Sequence, residues 1–413
     1  MEEIKAKIIG NLIRSEMKLK ELSQNQFSDK ICISQQNLSQ IIQGKVMVDP
    51  NKIKRIFNEL NIDGEFDFGD KKLTKFFEAC FDEYYYCTND KHIKEIDDKI
   101  KFRYYSYDLV EYLLLKCIEL YQKKLWNDLE RLIESIQDDF YDIFNKKQKA
   151  VFVLFKAYSL MNKNHYIETV QLINEYNFTE VSDKLQSMAY LLRGISNFQI
   201  RETLNALLDF QTAEKMFEEN RNVYRAIAAS NSIGSCYSQL REYEKAIEQR
   251  KKVLTEAERY SRASMVTICY SNIAYSYYKL GKYAEAIKWG KMANPLYMTG
   301  TNKSCYITLA WSYYFVGDLQ SSGKYMKILL NSKKDKMYYY QMGVLLGLYI
   351  HNESSLNKIQ LLKKMIADSE DEEAYDNVLW CSELLIKEYS LLQDFKELSK
   401  CQKKVLNILK WNV

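Results

Sequence analysis

Near the N-terminus, Gln35, Gln36 and Asn37 stand in succession, with Gln40 one helical turn further on. Each amide offers a donor and an acceptor side by side, so Gln or Asn can take adenine N6 and N7 as a bidentate pair. Ser34 precedes them and is suited to cap a helix, which places the amides on a first turn, where a helix in the major groove meets base edges. Polar residues on a small helical domain are also simply solvated, and at an isolated site that plainer reading would prevail. It gives way here because the flanking residues build the elements that such a reading helix needs.

Ser23 followed by Gln26 forms a capping box for a short helix running to about Lys30. Cys32 occupies the tight turn, where glycine would be easier. Ser34 then caps a second helix, and Gly44 sits where a left-handed residue ends one. After Pro50 a further helix carries Ile53, Ile56, Phe57 and Leu60 inward. Ahead of these, residues 2–19 repeat Ile4, Ile8, Ile9, Leu12, Ile13 and Leu19 as a helical stripe. Two short helices joined by such a turn make a helix-turn-helix, whose second helix enters the major groove.

Composition limits the rest. In 413 residues there are 2 prolines and 13 glycines, so the breakers that strands and sandwiches need are nearly absent. The fold expected is all-α, opening with an N-terminal helix-turn-helix domain. The net charge of +4 names no partner by itself. Residues 1–60 hold ten Lys/Arg against seven Asp/Glu, so most of the excess lies beside the amides. Nine scattered cysteines without a CxxC pair suggest neither a disulfide framework nor a zinc site. No apolar run reads as a signal peptide or a membrane span, and the expectation is a cytoplasmic protein with no membrane partner.

Residues 22–45 resemble the Cro/C1-repressor class of helix-turn-helix. Gln24, Phe27, Ile33, Ser34, Leu38, Ile41, Gly44 and Lys45 stand where that pattern has its Gln, apolar core, capping Ser and loop Gly-Lys. The resemblance implies that Gln24 holds a phosphate, that Gln35, Gln36 and Gln40 reach bases, and that Asn37 and Lys45 meet the backbone. Cys32 for the usual turn Gly, and Ile42 where Glu is common, depart from it.

Beyond a linker expected at residues 63–72, the chain repeats itself. Residues 230–254 and 270–293 superimpose with a shift of 40, Gly234 on Ala274, Tyr237 on Tyr277, Tyr243 on Tyr283 and Ala246 on Ala286. Weaker units centre near Cys117, Ala157, Gly194, Ala310, Gly347 and Ile386, with Trp126, Tyr166, Leu319 and Phe395 opening second helices. Such self-similarity marks a solenoid of helix pairs that buries its core between neighbours and leaves a concave face free. The pattern resembles the tetratricopeptide repeat, which implies an all-α fold of an N-terminal helix-turn-helix domain followed by a right-handed tetratricopeptide-like helical solenoid. In that repeat the inward positions select Asn231, Ser232 and Ser235, then Ser271, Asn272 and Tyr275, with Arg193 one unit earlier and Tyr278, Trp311 and Tyr314 following. Asn side chains could clamp an extended peptide backbone, Arg a carboxylate, and the aromatics could form apolar pockets. The alternative is that the polar residues are merely wetted and the tyrosines fill the repeat.

The two halves together resemble the peptide-sensing regulators of Gram-positive bacteria and their phages, the Rap–Rgg–NprR–PlcR–PrgX group. That resemblance implies domains at 1–62 and 73–413 and a homodimer formed through the repeats. It also implies an inverted-repeat operator on double-stranded DNA and a short signalling peptide held at Asn231 and Asn272. No cofactor or metal is implied. Three dispersed histidines (His92, His165 and His351) and the absence of P-loop, GxSxG or HExxH motifs argue against an enzyme. A pure interaction scaffold and a phosphatase of the Rap kind remain the rivals.

Overall fold

The computed structural model describes residues 2–46, 49–61, 73–88, 91–96, 108–297, 304–332, 337–372 and 374–410; the linker expected at 63–72 lies outside them. Every regular element among the described residues is helical. The chain divides into two compact units, one of Met1–Ser196 with Lys215–Ala226 and the other of Asn197–Glu214 with Ile227–Val413.

The first unit opens with α1 (Glu2–Leu19), α2 (Gln24–Ile31), α3 (Gln35–Ile42) and α4 (Pro50–Glu59). Their starts follow the caps. Ser23 and Gln26 form the reciprocal capping box, the Ser34 hydroxyl accepts from the Asn37 N–H, and the Asp49 carboxylate accepts from Asn51 and Lys52. Cys32 ends α2 at φ +53°, so the turn does take a left-handed residue that glycine would adopt more cheaply. Ile9, Ile13 and Met17 of α1 join Phe27, Ile31, Leu38, Ile41, Ile42, Ile56, Phe57 and Leu60 in one core. Ile42, unusual for the pattern, is therefore a core residue. Leu19 was expected inward and is instead 71% exposed, because α1 ends there and the chain turns away. The side chain of Ile4 lies outside the described residues.

Two glycines let α1 approach α3. A Cβ on Gly10 would stand 2.5 Å from the Ile41 carbonyl oxygen, and one on Gly44, at φ +64°, would stand 2.7 Å from Lys7 Cα. Backbone cannot yield as a side-chain tip can. Gly10→Ala is expected to cost about 1–3 kcal/mol through this overpacking, read as a lowered melting midpoint. An unchanged midpoint would mean that α1 does not pack this closely.

The repeats follow as helix hairpins. The second helices open at Trp126, Tyr166, Tyr243, Tyr283, Leu319 and Phe395, as the aromatic or leucine at each position indicated. The pairs whose second helices are Thr203–Glu219 and Ser355–Asp371 lack that marker, and the sequence signals them through Gly194 and Gly347 of their first helices. The turns need few glycines because other residues take the left-handed conformation. Lys124, Asn164, Arg201, Arg241, Asn352 and Gln393 do so, as do Gly281 and Gly317. In each turn the following N–H closes back onto the preceding helix, as His165 does to Leu160 and Glu242 to Tyr237.

Candidate DNA-reading helix and ligand groove

Within the first unit, α3 presents its polar edge outward. Gln35, Gln36 and Asn37 are exposed, Gln40 is half-buried, and Leu38, Ile41 and Ile42 hold the other side in the core. Gln24, Ser34 and Lys45 are exposed around it, and Ser34 is engaged through its side chain as the cap. The amides thus sit on a rigid, capped first turn with open access, the arrangement that base readout needs.

α1 is buried on two sides. Ile8 and Leu12 are as deeply buried as Ile9 and Ile13 yet lie outside the helix-turn-helix core. That second side lies against a π-helical turn, Ile136–Phe140, which continues the repeat helix Trp126–Ser135. Arg14 donates from Nε to Asp139 Oδ1 at 3.0 Å and also reaches the Asp139 carbonyl at 3.2 Å. Lys18 meets Asp138 at 2.8 Å; their hydrogen bond and opposite charges raise the Lys18 pKa and lower that of Asp138.

The second unit holds a cavity of about 210 Å³, lined among others by Ser235, Asn272 and Tyr275. The Ser235 hydroxyl donates to the Asn231 carbonyl. Asn231 itself does not line the cavity, although its side-chain Oδ1 is buried without a hydrogen-bond partner. The forty-residue shift explains the difference. It sets Asn231 against Ser271 and Ser232 against Asn272, so the two asparagines occupy neighbouring positions of the repeat rather than the same one.

The aromatics expected along the groove divide. Tyr275 lines the cavity, and burial raises its hydroxyl pKa well above the ordinary value. Trp311 is wholly buried, packed on Tyr314, Tyr349 and Trp380, so the structure places it in the core rather than on the groove face. Tyr278 is nearly as buried, against Tyr283, Phe315 and Trp380. These two correct the expectation: the repeat pattern sets a residue's side of the helix, but here the helix face is covered by neighbouring aromatics. Tyr314 is half-buried on the edge of the Trp311 cluster. Arg193 lies in the first unit, at a cavity of about 280 Å³, where it donates to Asn174 at 2.7 Å and covers the Tyr190 ring.

The sequence reading missed the charged residues around the first cavity. Arg241, Arg250, Lys279 and Asp376 line it. Arg241 and Lys279 share Glu383 at 3.0 and 2.6 Å, and Arg201 meets Asp376 at 2.9 Å. Arg201 and Arg241 are the left-handed residues of successive hairpin turns, so the repeat itself brings them to equivalent places. Arg250 had a legible signal. It stands in the apolar seam Ala246, Ile247, Val253 and Leu254, where helical spacing must point it inward.

With this geometry established, comparison with known proteins adds the fold and one domain. A family model described as helix-turn-helix matches residues 13–66. This segment is a helix-turn-helix domain. No curated protein matches the chain in sequence. Solved structures do match it in fold. The apo form of the quorum sensor NprR from B. thuringiensis superimposes with a TM-score of 0.67 at 14% identity, covering 82% of this chain and 98% of that one. A Rap protein complexed with Competence and Sporulation Factor gives 0.62 at 15% identity, covering 82% and 95%. NprR in complex with its cognate peptide NprX gives 0.58 at 16%, covering 82% and 99%. The chain is thus a helix-turn-helix domain carried on a repeat solenoid with the fold of Rap and NprR. Among the described residues no helix is long and apolar enough to cross a membrane.

Proposed function

We propose that the chain is a sequence-specific DNA-binding transcriptional regulator whose activity is set by a short peptide held in the groove of its repeats. The observation that carries this reading is the exposed amide row of α3, capped by Ser34 and held on a rigid core. The domain boundaries proposed are 1–62 for DNA binding and 73–413 for peptide binding and dimerisation. Gln24, Ser34, Asn37 and Lys45 are assigned to the phosphate backbone, and Gln35, Gln36 and Gln40 to bases. Ser235, Asn272 and Tyr275 are assigned to the peptide; Asn231, expected with them, does not line the cavity. Likeness to NprR, solved with its cognate peptide, supports the peptide half of this reading.

Two protomers joined through their repeats would set two recognition helices on half-sites about one helical turn, roughly 34 Å, apart or a multiple of it. A peptide that binds one shape of the array better than another changes that spacing, and with it DNA affinity. The test is retention of DNA tiling the gene's own upstream region, with and without short synthetic peptides encoded by neighbouring reading frames. Specific retention shifted by one peptide is the expected result. Retention that no peptide alters would confine the repeats to dimerisation, and no specific retention would favour an interaction scaffold. A phosphatase assay on a phosphorylated response regulator separates the remaining Rap-like alternative; it is expected to show no turnover.

A further inference from the structure

Arg250 is out of place by ordinary rules. It occupies a seam position that an apolar residue would fill, and only 3% of it is exposed. Buried arginines are normally paired with carboxylates, because an isolated charge loses its hydration without return. Among the described residues this one has hydroxyls as its side-chain partners: Nη1 donates to Ser238 Oγ at 2.8 Å and to Ser276 Oγ at 3.1 Å. Its Nε has no hydrogen-bond partner and lies against Gly234, where an added Cβ would stand 3.1 Å from Arg250 Cγ. The glycine thus leaves the space through which the side chain reaches the cavity. Burial pulls the guanidinium pKa down to about 10, the sign of a cation short of negative charge.

Among the described residues, no ion pair supplies that charge to Arg250. Arg201 has Asp376, while Arg241 and Lys279 divide Glu383 between them. Both of these carboxylates are engaged by other cations, and Arg250, which also lines the cavity, has neither of them. We infer that Arg250 is the anchor for a carboxylate of the ligand, received in the cavity between Ser235, Ser238 and Asn272. The inference rests on the peptide reading and adds its chemistry: the peptide presents a carboxylate here, from its C-terminus or from an Asp or Glu side chain. Charge-assisted hydrogen bonds of a guanidinium to a carboxylate are about twice as strong as neutral ones, so this contact should dominate affinity.

The test uses the full-length protein and pools of short random peptides, read by affinity selection and mass spectrometry. One pool has free C-termini and one is amidated; peptides retained from them are then resynthesised with Asp and Glu changed to Asn and Gln. Retained peptides are expected to weaken about tenfold or more when the one essential carboxylate is removed, and equally with Arg250→Met. Loss on amidation assigns the carboxylate to the C-terminus, and loss on the Asn/Gln exchange assigns it to a side chain. Arg250→Met should melt no lower than the parent, since it replaces an unpaired buried cation with an apolar chain of similar length. Arg250→Lys keeps the charge and should retain part of the binding. If peptides are retained but neither carboxylate removal nor Arg250→Met weakens them, the inference is overturned while the peptide reading stands. If no pool yields a retained peptide, the peptide reading fails and the inference with it.

Discussion

Gln35→Ala with Gln36→Ala is expected to abolish the preference for the cognate operator while leaving weak, salt-sensitive DNA binding. A bidentate amide–adenine pair discriminates by about 1–3 kcal/mol, so losing two costs roughly one to four orders of magnitude in specific affinity. Both side chains are exposed, and the helix is held by Leu38, Ile41 and Ile42, so the double variant should melt with the parent. Lys45→Ala should behave differently, weakening specific and random duplexes alike and reducing the salt slope by about one. Ser34 is a poor probe of readout, because its loss uncaps α3 at a cost of about 1 kcal/mol and confuses affinity with folding. Binding is measured by titration against the operator and a scrambled duplex at two salt concentrations. A double variant that still prefers the operator at parental strength would show that α3 does not read bases.

Why this helix could be found from sequence, and the ligand site only partly, follows from the range of the interactions. The caps at Ser23 and Ser34, and the left-handed residue at Gly44, act within a few residues, so their signals are local. The hairpin starts at Trp126, Tyr166 and Tyr243 repeat at nearly constant spacing, which makes even degenerate units legible. The cavity depends on packing between elements far apart in sequence. Asp376 meets Arg201 across 175 residues and Glu383 meets Lys279 across 104, and no periodicity reports such pairs. Trp311 shows the same limit from the other side: its repeat position was right for the groove, but Tyr349 and Trp380 cover it. Arg250 was the one long-range feature with a local trace, a charge set in an apolar seam.

The doubly buried first helix leads to the second large effect. Arg14 and Lys18 tie α1 to the turn at 138–139, so the DNA-reading core and the first repeats share a helix. Asp139 is buried, whereas Lys18 and Asp138 are exposed and, as a surface pair, contribute little. The Arg14 contact therefore carries most of the polar docking, about 1–2 kcal/mol after allowing for the partial exposure of its side chain. Arg14→Glu puts like charges together at that point and should raise amide hydrogen exchange of residues 136–143 about tenfold or more. The charge-swapped pair Arg14→Glu with Asp139→Arg should restore part of the protection, as a direct contact requires. α2, α3 and α4 do not touch this turn through Arg14, so operator binding itself should survive. What should vanish is the dependence of DNA affinity on the peptide, because a change in the repeats then no longer moves the recognition helices. An Arg14→Glu variant with loosened docking but full peptide response would exclude α1 as the route and leave the segment after α4 to carry the signal.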